Sequence, residues 1–383
     1  MTPRTWHLIT GEYPPMPGGV ADYTALVGAG LADAGCEVHV WTRGDADHAE
    51  RPQPGLTVWR VAGHFGPRGL ARLSANLNAF PRPRTILVQY VPHAYGYRAA
   101  NLPFCLAMLA RALRRDDVRA MYHELFLPWR GRSWKHTAAA AVQRAMVAAL
   151  AMAAPRAYVS TPLWEPLLRA YAIRSPRVAW LPVPSNIPLA TTASAVAAFR
   201  SGTGLTVGHF GTYGDHIAPL LAPILERILA ARPSVRALLV GANGDRFRTA
   251  FVRAHPAWEA RVTATGRCSA EATAAALRAC DVMVQPYSEG LTARRGTLMA
   301  VLAHGVAAVS TDGTANGCPP EAPFRVGNPM ALAAPGDSEG MAAMALALLD
   351  DPHRRAAAAE AGRRLYDDHF ALDRTIRKLL APG

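Results

Sequence analysis

The chain has 383 residues, 41 of them Lys or Arg against 28 Asp or Glu, which gives a formal net charge of +13. That length suits two domains of roughly 100–200 residues each, and a composition that is 50% hydrophobic and 18% charged excludes a disordered chain. Cys36, Cys105, Cys268, Cys280 and Cys318 stand far apart with no CxxC pair, a spacing that argues against a zinc site or disulfide framework and fits a reducing cytoplasm.

Apolar runs of strand length alternate with longer stretches of helical period. Thr5 to Thr10 reads as a strand and Val20 to Ala34 as a helix with apolar residues three and four apart. Strands follow at Glu37 to Thr42, Thr57 to Ala62, Thr85 to Tyr90 and Val118 to His123, with a helix from Leu102 to Arg114 before the last of these. Helix His136 to Ala153, strand Arg156 to Ser160, helix Leu163 to Ala172 and strand Arg177 to Val183 complete the first half. Pro184 to Gly204 has the composition of a linker. A second series then begins: strand Leu205 to Phe210, helix Ala218 to Ala231, strand Val235 to Val240, strand Arg261 to Thr265, helix Ala270 to Ala279, strand Asp281 to Gln285, helix Gly296 to Ala303 and strand Ala307 to Ser310. Glu339 to Leu380 reads as a helical tail that packs on both halves.

Strands separated by helices imply βαβ units and parallel sheets, so the expected fold class is α/β with two Rossmann-like domains facing each other across a cleft. The boundaries expected are 1–188 and 189–365, with a C-terminal helix at about 366–383 packing back on the first domain. No signal peptide is expected at the N-terminus. The longest apolar run, Ala145 to Pro155, is well short of the ~20 residues that span a bilayer, and a soluble, cytoplasmic protein is expected.

The positive charge is almost all arginine, Lys135 and Lys378 being the two lysines. Composition bias, nucleic acid, an anionic membrane and phosphorylated substrates each account for such a balance; the chain carries no nucleic-acid motif, so no nucleic-acid partner is expected.

Ligands of open α/β sheets bind beyond the carboxyl ends of the strands, so chemistry is sought in the loops there. The loop after the first strand runs Gly11-Glu12-Tyr13-Pro14-Pro15-Met16-Pro17-Gly18-Gly19 into a helix. It is not GxGxxG, which counts against a nicotinamide dehydrogenase. Gly18 and Gly19 allow close backbone approach, and the helix start offers N–H groups to an anion; the same spacing also serves a plain strand-to-helix turn. The loop after Asp281 to Gln285 holds Glu289 and Gly290 and ends in Arg294-Arg295-Gly296-Thr297 at a helix start. Guanidinium forks, free N–H groups and the helix dipole make this a candidate diphosphate site, with Glu289 placed to accept hydrogen bonds from sugar hydroxyls. A solvated arginine pair with Thr297 as N-cap is the alternative. His123 and Glu124 close a strand where a ligand residue is expected, and His93 is a weaker candidate of the same kind. No Ser-His-Asp arrangement, metal cluster or Walker loop is present.

Tyr13-Pro14-Pro15 through Gly18-Gly19-Val20-Ala21-Asp22-Tyr23, the strand ending in His123-Glu124, the block from Pro286 to Gly305 and the paired helical tail together resemble the GT-B glycosyltransferases, specifically the retaining group called family 4. The resemblance implies a nucleotide-diphospho-sugar donor held mainly by the C-terminal domain, and a hydroxyl acceptor entering from the N-terminal domain. It implies transfer with retention, in polysaccharide, glycolipid or secondary-metabolite glycoside synthesis, with no metal or other cofactor. Gly18-Gly19 is similar to the family's phosphate-contacting loop, and His123 to its donor-sugar histidine, so His123 and Glu289 are the implied catalytic pair. Gly290 to Thr297 resembles the stretch that binds donor sugar and diphosphate. Gly211 and Thr212, Gly241-Ala242-Asn243 and Gly266-Arg267 are similar in place to the donor-binding loops, with His93 and Glu124 on the acceptor side.

Two departures stand out. The family's two glutamates, eight positions apart, do not both occur: if Glu289 is the first, the second falls on Thr297, and counting back from Gly305 places the pair on Thr292 and Ala300. The Gly208 to Gly214 loop also lacks the usual downstream arginine and lysine, a charge for which Arg294 and Arg295 are the expected replacement. An altered homologue, acting as a sugar-nucleotide epimerase or as a non-catalytic binding protein, is the alternative reading. Tryptophans and cations interleave from Leu127 to Lys135, a pattern that suits peripheral contact with the inner face of a membrane and a lipid-linked acceptor, or a plain surface loop.

Overall fold

The computed structural model describes residues 4–382 apart from 46, 63–64, 130–132, 201, 203, 314–323 and 325–329. The chain divides into two compact units, residues 1–182 with 372–383, and residues 183–371.

The first unit contains β1 (Thr5–Thr10), α1 (Gly19–Asp33), β2 (Glu37–Gly44), β3 (His48–Gln53), β4 (Leu56–Ala62), α2 (Pro67–Asn78), β5 (Thr85–Tyr90), α3 (Leu102–Leu113), β6 (Asp117–Tyr122), α4 (Trp134–Ala153), β7 (Arg156–Val159), α5 (Trp164–Tyr171) and β8 (Arg177–Trp180). Its sheet runs β3-β4-β2-β1-β5-β6-β7-β8. β1 and β5 are fully or almost fully buried along their length, as strands covered by helices on both faces must be. The sheet is not wholly parallel, because β3 pairs antiparallel with β4. β3 is missing from the sequence reading because His48–Gln53 is polar and mostly exposed, with no alternation to mark it. It is an edge strand made by pairing rather than by burial. α2 was also unmarked, since Leu73 and Leu77 are the only large apolar side chains it buries fully.

The second unit contains α6 (Ala193–Ala197), β9 (Thr206–Phe210), α7 (Ala218–Ala231), β10 (Arg236–Val240), α8 (Gly244–Ala254), β11 (Val262–Gly266), α9 (Ala270–Arg278), β12 (Val282–Gln285), α10 (Gly296–Ala303), β13 (Ala307–Thr311), β14 (Ala331–Ala333), α11 (Ser338–Asp350) and α12 (Pro352–His369). All its strand pairs are parallel, in the order β11-β10-β9-β12-β13-β14. α6 lies inside the stretch that reads as linker. α8, short of apolar residues, shows its helical period only in Phe247 and Phe251.

The helical tail is three helices. α11 and α12 belong to the second unit, while α13 (Leu372–Leu380) belongs to the first. α13 packs on α1: a Cβ on Gly30 would stand 2.9 Å from the Ile376 side chain. Arg119 donates to the Leu379 carbonyl at 2.8 Å, and Lys378 to the Trp180 carbonyl at 3.1 Å.

Numbered within its own unit, each sheet keeps the doubly wound order 3-2-1-4-5-6, with β3 and β8 as additions to the first. The order reverses between β1 and β5 in one unit and between β9 and β12 in the other. Crossovers leave to opposite faces at such a point and open a crevice at the carboxyl ends.

Candidate functional site

In the first unit the reversal point collects the loops after β1, β5 and β6. Gly11 passes so close to the next loop that a Cβ there would lie 2.1 Å from the Ala94 carbonyl oxygen. Gly18 is the N-cap of α1 without a side-chain cap, and the space its side chain would fill is taken by Glu12, whose Oε2 lies 2.7 Å from an ideal Cβ. Gly19 opens the helix with nothing within 4 Å of its Cβ position. The helix start is therefore open beside Gly19, while the Glu12 carboxylate occupies the space beside Gly18.

His93 stands between two carboxylates, with Glu12 Oε1 3.6 Å from Nε2 and Glu124 Oε2 3.6 Å from Nδ1. The hydrogen bond to Glu124 raises its pKa above the usual 6.5, with the charges of Glu124 and Glu12 adding to the effect. His123, just after β6, is buried, its Nε2 2.8 Å from Gln89 Oε1 and its ring edge-on to Tyr23. Its carbonyl accepts from Trp164 and Ser160. The predicted His93, His123 and Glu124 therefore share one strand edge, and Glu12, Gln89 and Tyr23 join them unforeseen. Gln89 did leave a signal: it is a polar residue after the apolar run Ile86-Leu87-Val88 near the end of its strand, as Gln285 is after Val282-Met283-Val284 in the second unit.

In the second unit, the loops after β9, β10 and β11 lock together. A Cβ on Gly241 (φ +110°) would lie 2.4 Å from the Gly211 carbonyl oxygen, so only glycine fits there. Asn243 donates to the Thr212 carbonyl at 3.1 Å, and the Gly241 amide donates to Thr265 Oγ1 at 3.1 Å. Gly266 ends β11 and Arg267 follows it, exposed. His209 is buried at the end of β9, its Nδ1 2.8 Å from the Val284 carbonyl and its Nε2 without a hydrogen-bond partner.

Across the reversal point, the loop after β12 folds on Tyr287. Arg295 lies with its guanidinium carbon 4.6 Å from the Tyr287 ring centroid and its Nη2 3.6 Å from Glu289 Oε2. The Tyr287 hydroxyl and Thr297 Oγ1 are 3.1 Å apart. Gly290, at φ +84°, packs against Gly313, whose Cα would lie 2.3 Å from a Cβ. Two readings from the sequence need correction here. Arg295, not Thr297, is the N-cap of α10, because the chain turns into the helix two residues earlier and leaves Thr297 to bond the tyrosine. The arginine pair is also not simply solvated, since Arg295 is stacked and ion-paired. Glu289 itself is largely exposed. Gly296 starts α10 with nothing within 4 Å of its Cβ position, which leaves the helix start open to an anion.

Among the described residues no group of three or more His, Cys, Asp or Glu is arranged to hold a metal ion, and no helix is long and apolar enough to cross a membrane. Cys36, Cys105, Cys268 and Cys280 are free thiols; Cys318 lies outside the described residues.

Residues 202–351 match the family model described as glycosyl transferases group 1. No curated protein matches the chain by sequence. Sucrose-phosphate synthase from Thermosynechococcus elongatus is similar in structure, with a TM-score of 0.71 at 19% identity over 98% of this chain and 97% of that one. The Anabaena protein HepE, solved in complex with UDP, is similar with a TM-score of 0.68 at 14% identity over 98% of each chain. A glycosyltransferase from Rickettsia africae gives 0.67 at 13% identity over 99% of this chain and 97% of that one. Such likenesses speak for the fold, and the family model for the stretch that contains β9 to β14. The chain thus has the GT-B fold of these structures, and its residues 202–351 match the group 1 glycosyl transferase domain.

Proposed function

We propose that the protein transfers a sugar from a nucleotide-diphospho-sugar to an acceptor hydroxyl with retention of anomeric configuration, in the assembly of a polysaccharide, glycolipid or glycoside. The observation that carries this reading is the pairing of Arg294-Arg295 and the open α10 N-terminus at the reversal point of a 3-2-1-4-5-6 sheet. The donor diphosphate would lie there, with Gly211, Thr212, Gly241 and Arg267 beside the nucleoside and Glu289 near the sugar. HepE was also solved with UDP-glucose, which makes uridine donors the first to test.

The chemistry is mostly electrostatic. Charge builds on the leaving diphosphate as the anomeric bond breaks, and fixed amides and guanidinium groups stabilise it most in that state. Arginine supplies the positive charge that a metal supplies elsewhere, so no metal is needed. No protein nucleophile is called for when the acceptor attacks from the leaving-group face with the phosphate as base. His123, fixed by Gln89, is assigned to the donor sugar, and Glu12, His93 and Glu124 to acceptor hydroxyls. Incubation with UDP-, GDP-, ADP- and TDP-sugars, with nucleoside diphosphate measured as it is released, tests this. Absence of release with every donor and a range of sugar acceptors would overturn the transferase reading and leave an epimerase or a non-catalytic binding protein.

Gly290→Ala is expected to weaken donor binding at least about tenfold, because a left-handed alanine costs about 1–2 kcal/mol and its Cβ must displace the Gly313 backbone. Calorimetric titration with the accepted donor reads this; wild-type affinity would detach the loop from the site.

Peripheral membrane contact is part of the same proposal. Trp134 is 76% and Ile173 71% exposed, and Trp129, Leu127 and Leu167 are exposed as well. Lys135 lies 6.0 Å from the Trp134 ring, and Arg130 and Arg132 lie outside the described residues. Aromatic rings with adjacent cations favour the interface of an anionic bilayer. The protein should pellet with liposomes containing phosphatidylglycerol and not with phosphatidylcholine alone, and Trp134→Ser should reduce the pelleted fraction several-fold. A supernatant unchanged by either lipid would discard the membrane reading.

A further inference from the structure

The second unit has another recess, of about 340 Å³, at the amino ends of β12 and β13, on the sheet edge away from the donor loops. Arg200, Arg278 and Arg355 line it, with Asp281 and His304. Its charges do not balance. Asp281 is 3.7 Å from Arg200, but its other oxygen is taken by the Thr206 amide at 2.7 Å. Arg355 donates to the carbonyls of Leu348 and Leu349, which end α11, and lends them only part of its fork. Arg278, in the last turn of α9, is exposed.

His304 gives the second observation. Its Nδ1 lies 2.7 Å from the Ala300 carbonyl and its Nε2 3.0 Å from the Pro188 carbonyl. Only an imidazolium donates to both, because a neutral ring turns a lone pair toward one of the oxygens. Burial works against that charge and lowers the pKa, and the nearby Arg278 and Arg363 add to the effect. A dianion among the arginines would remove that repulsion and let the ring satisfy both carbonyls.

We propose that this recess binds a small tetrahedral dianion, inorganic phosphate or the phosphate of a phosphorylated metabolite, held by Arg200 and Arg278 with Arg355 behind them. His304 is the C-cap of α10, the helix that starts at Arg295-Gly296-Thr297, so the bound anion would sit one short helix, ~12 Å of rise over eight residues, from the proposed donor diphosphate. The inference does not depend on the donor reading.

Calorimetric titration with sodium sulfate at constant ionic strength tests it, sulfate being a dianion that does not titrate near neutrality. One sulfate per chain is expected. Arg200→Ala with Arg278→Ala should weaken it at least about tenfold, since two charge-assisted contacts are lost, and Arg278→Glu, which reverses an exposed charge, should do the same with an unchanged circular dichroism spectrum. Arg294→Ala with Arg295→Ala should leave sulfate binding intact. Absence of saturable binding, or binding that survives the first variants and is lost in the last, would overturn the proposal. Glucose 6-phosphate competing with sulfate would identify a phosphorylated metabolite as the occupant; competition by free phosphate alone would identify inorganic phosphate.

Discussion

Replacing Arg294 and Arg295 together by alanine is expected to abolish measurable donor binding. Each charge-assisted contact to a phosphate contributes roughly 1.5–3 kcal/mol, so the pair accounts for about 3–6 kcal/mol, a loss of roughly a hundred- to ten-thousand-fold in affinity. The geometry favours the upper part of that range for Arg295. Its fork is held by Glu289 at 3.6 Å and by the face of Tyr287, and Tyr287 is tied in turn to Thr297. A preoriented guanidinium loses little freedom on binding. Arg295→Lys should therefore recover charge but not affinity, because an ammonium on a flexible stem has no bidentate geometry. Titration of the double variant with the accepted nucleotide sugar reads the effect directly, with circular dichroism as the check on folding. An affinity within threefold of wild type would show that the missing family arginine and lysine are not replaced here.

The second large effect is on stability. His7 is fully buried, with Nδ1 accepting from Trp41 and Nε2 without a partner. Burial pushes its pKa down from 6.5 to about 3, and His39, Arg84 and Arg111 add repulsion. His209 is lowered to about 4 by burial, against the pull of its bond to the Val284 carbonyl. A histidine whose folded pKa lies below its unfolded value contributes its full stability above about pH 6.5. That contribution is lost as the pH falls toward the folded values. At about 1.4 kcal/mol for each tenfold step in proton affinity, several kcal/mol disappear between pH 6.5 and about 4. His93 acts in the opposite sense, but it is more than half exposed and solvent screens its pairs. Partly buried carboxylates such as Asp117, held low by Arg119 and Arg156 against the opposing effect of burial, add their losses only further into acid. Because His7 and His209 belong to different units, melting curves from pH 8 to 4 should shift down as a whole, well before carboxylates titrate. A midpoint that stays flat from pH 7 to 5 would contradict two neutral buried rings.

Much of this molecule is legible in its sequence where burial writes the pattern. β1, β5 and the helices α7 and α10 lie where apolar spacing puts them, because covered strands and amphipathic faces cannot be built otherwise. β3 has no such mark, being polar and paired only along its backbone. α8 and α2 are weakly marked for the same reason. The loops proposed to hold the donor are marked by glycines, and Gly241 and Gly290 sit where a side chain would strike backbone. What sequence order cannot convey is which residues meet. Glu12 and Gln89 join His93 and His123 only because β1, β5 and β6 are neighbours in space, and Tyr287 matters only because Arg295 folds back upon it.

The placement of α13 has a consequence for synthesis. Residues 372–380 are made after the whole of the second unit, yet they pack on α1, accept a bond from Arg119 at the Leu379 carbonyl and donate one from Lys378 to the Trp180 carbonyl of the first. As the ribosome delivers the polypeptide in order, the first unit must wait through nearly two hundred residues with that patch bare, and a nascent form exposed in this way is a natural client for chaperones.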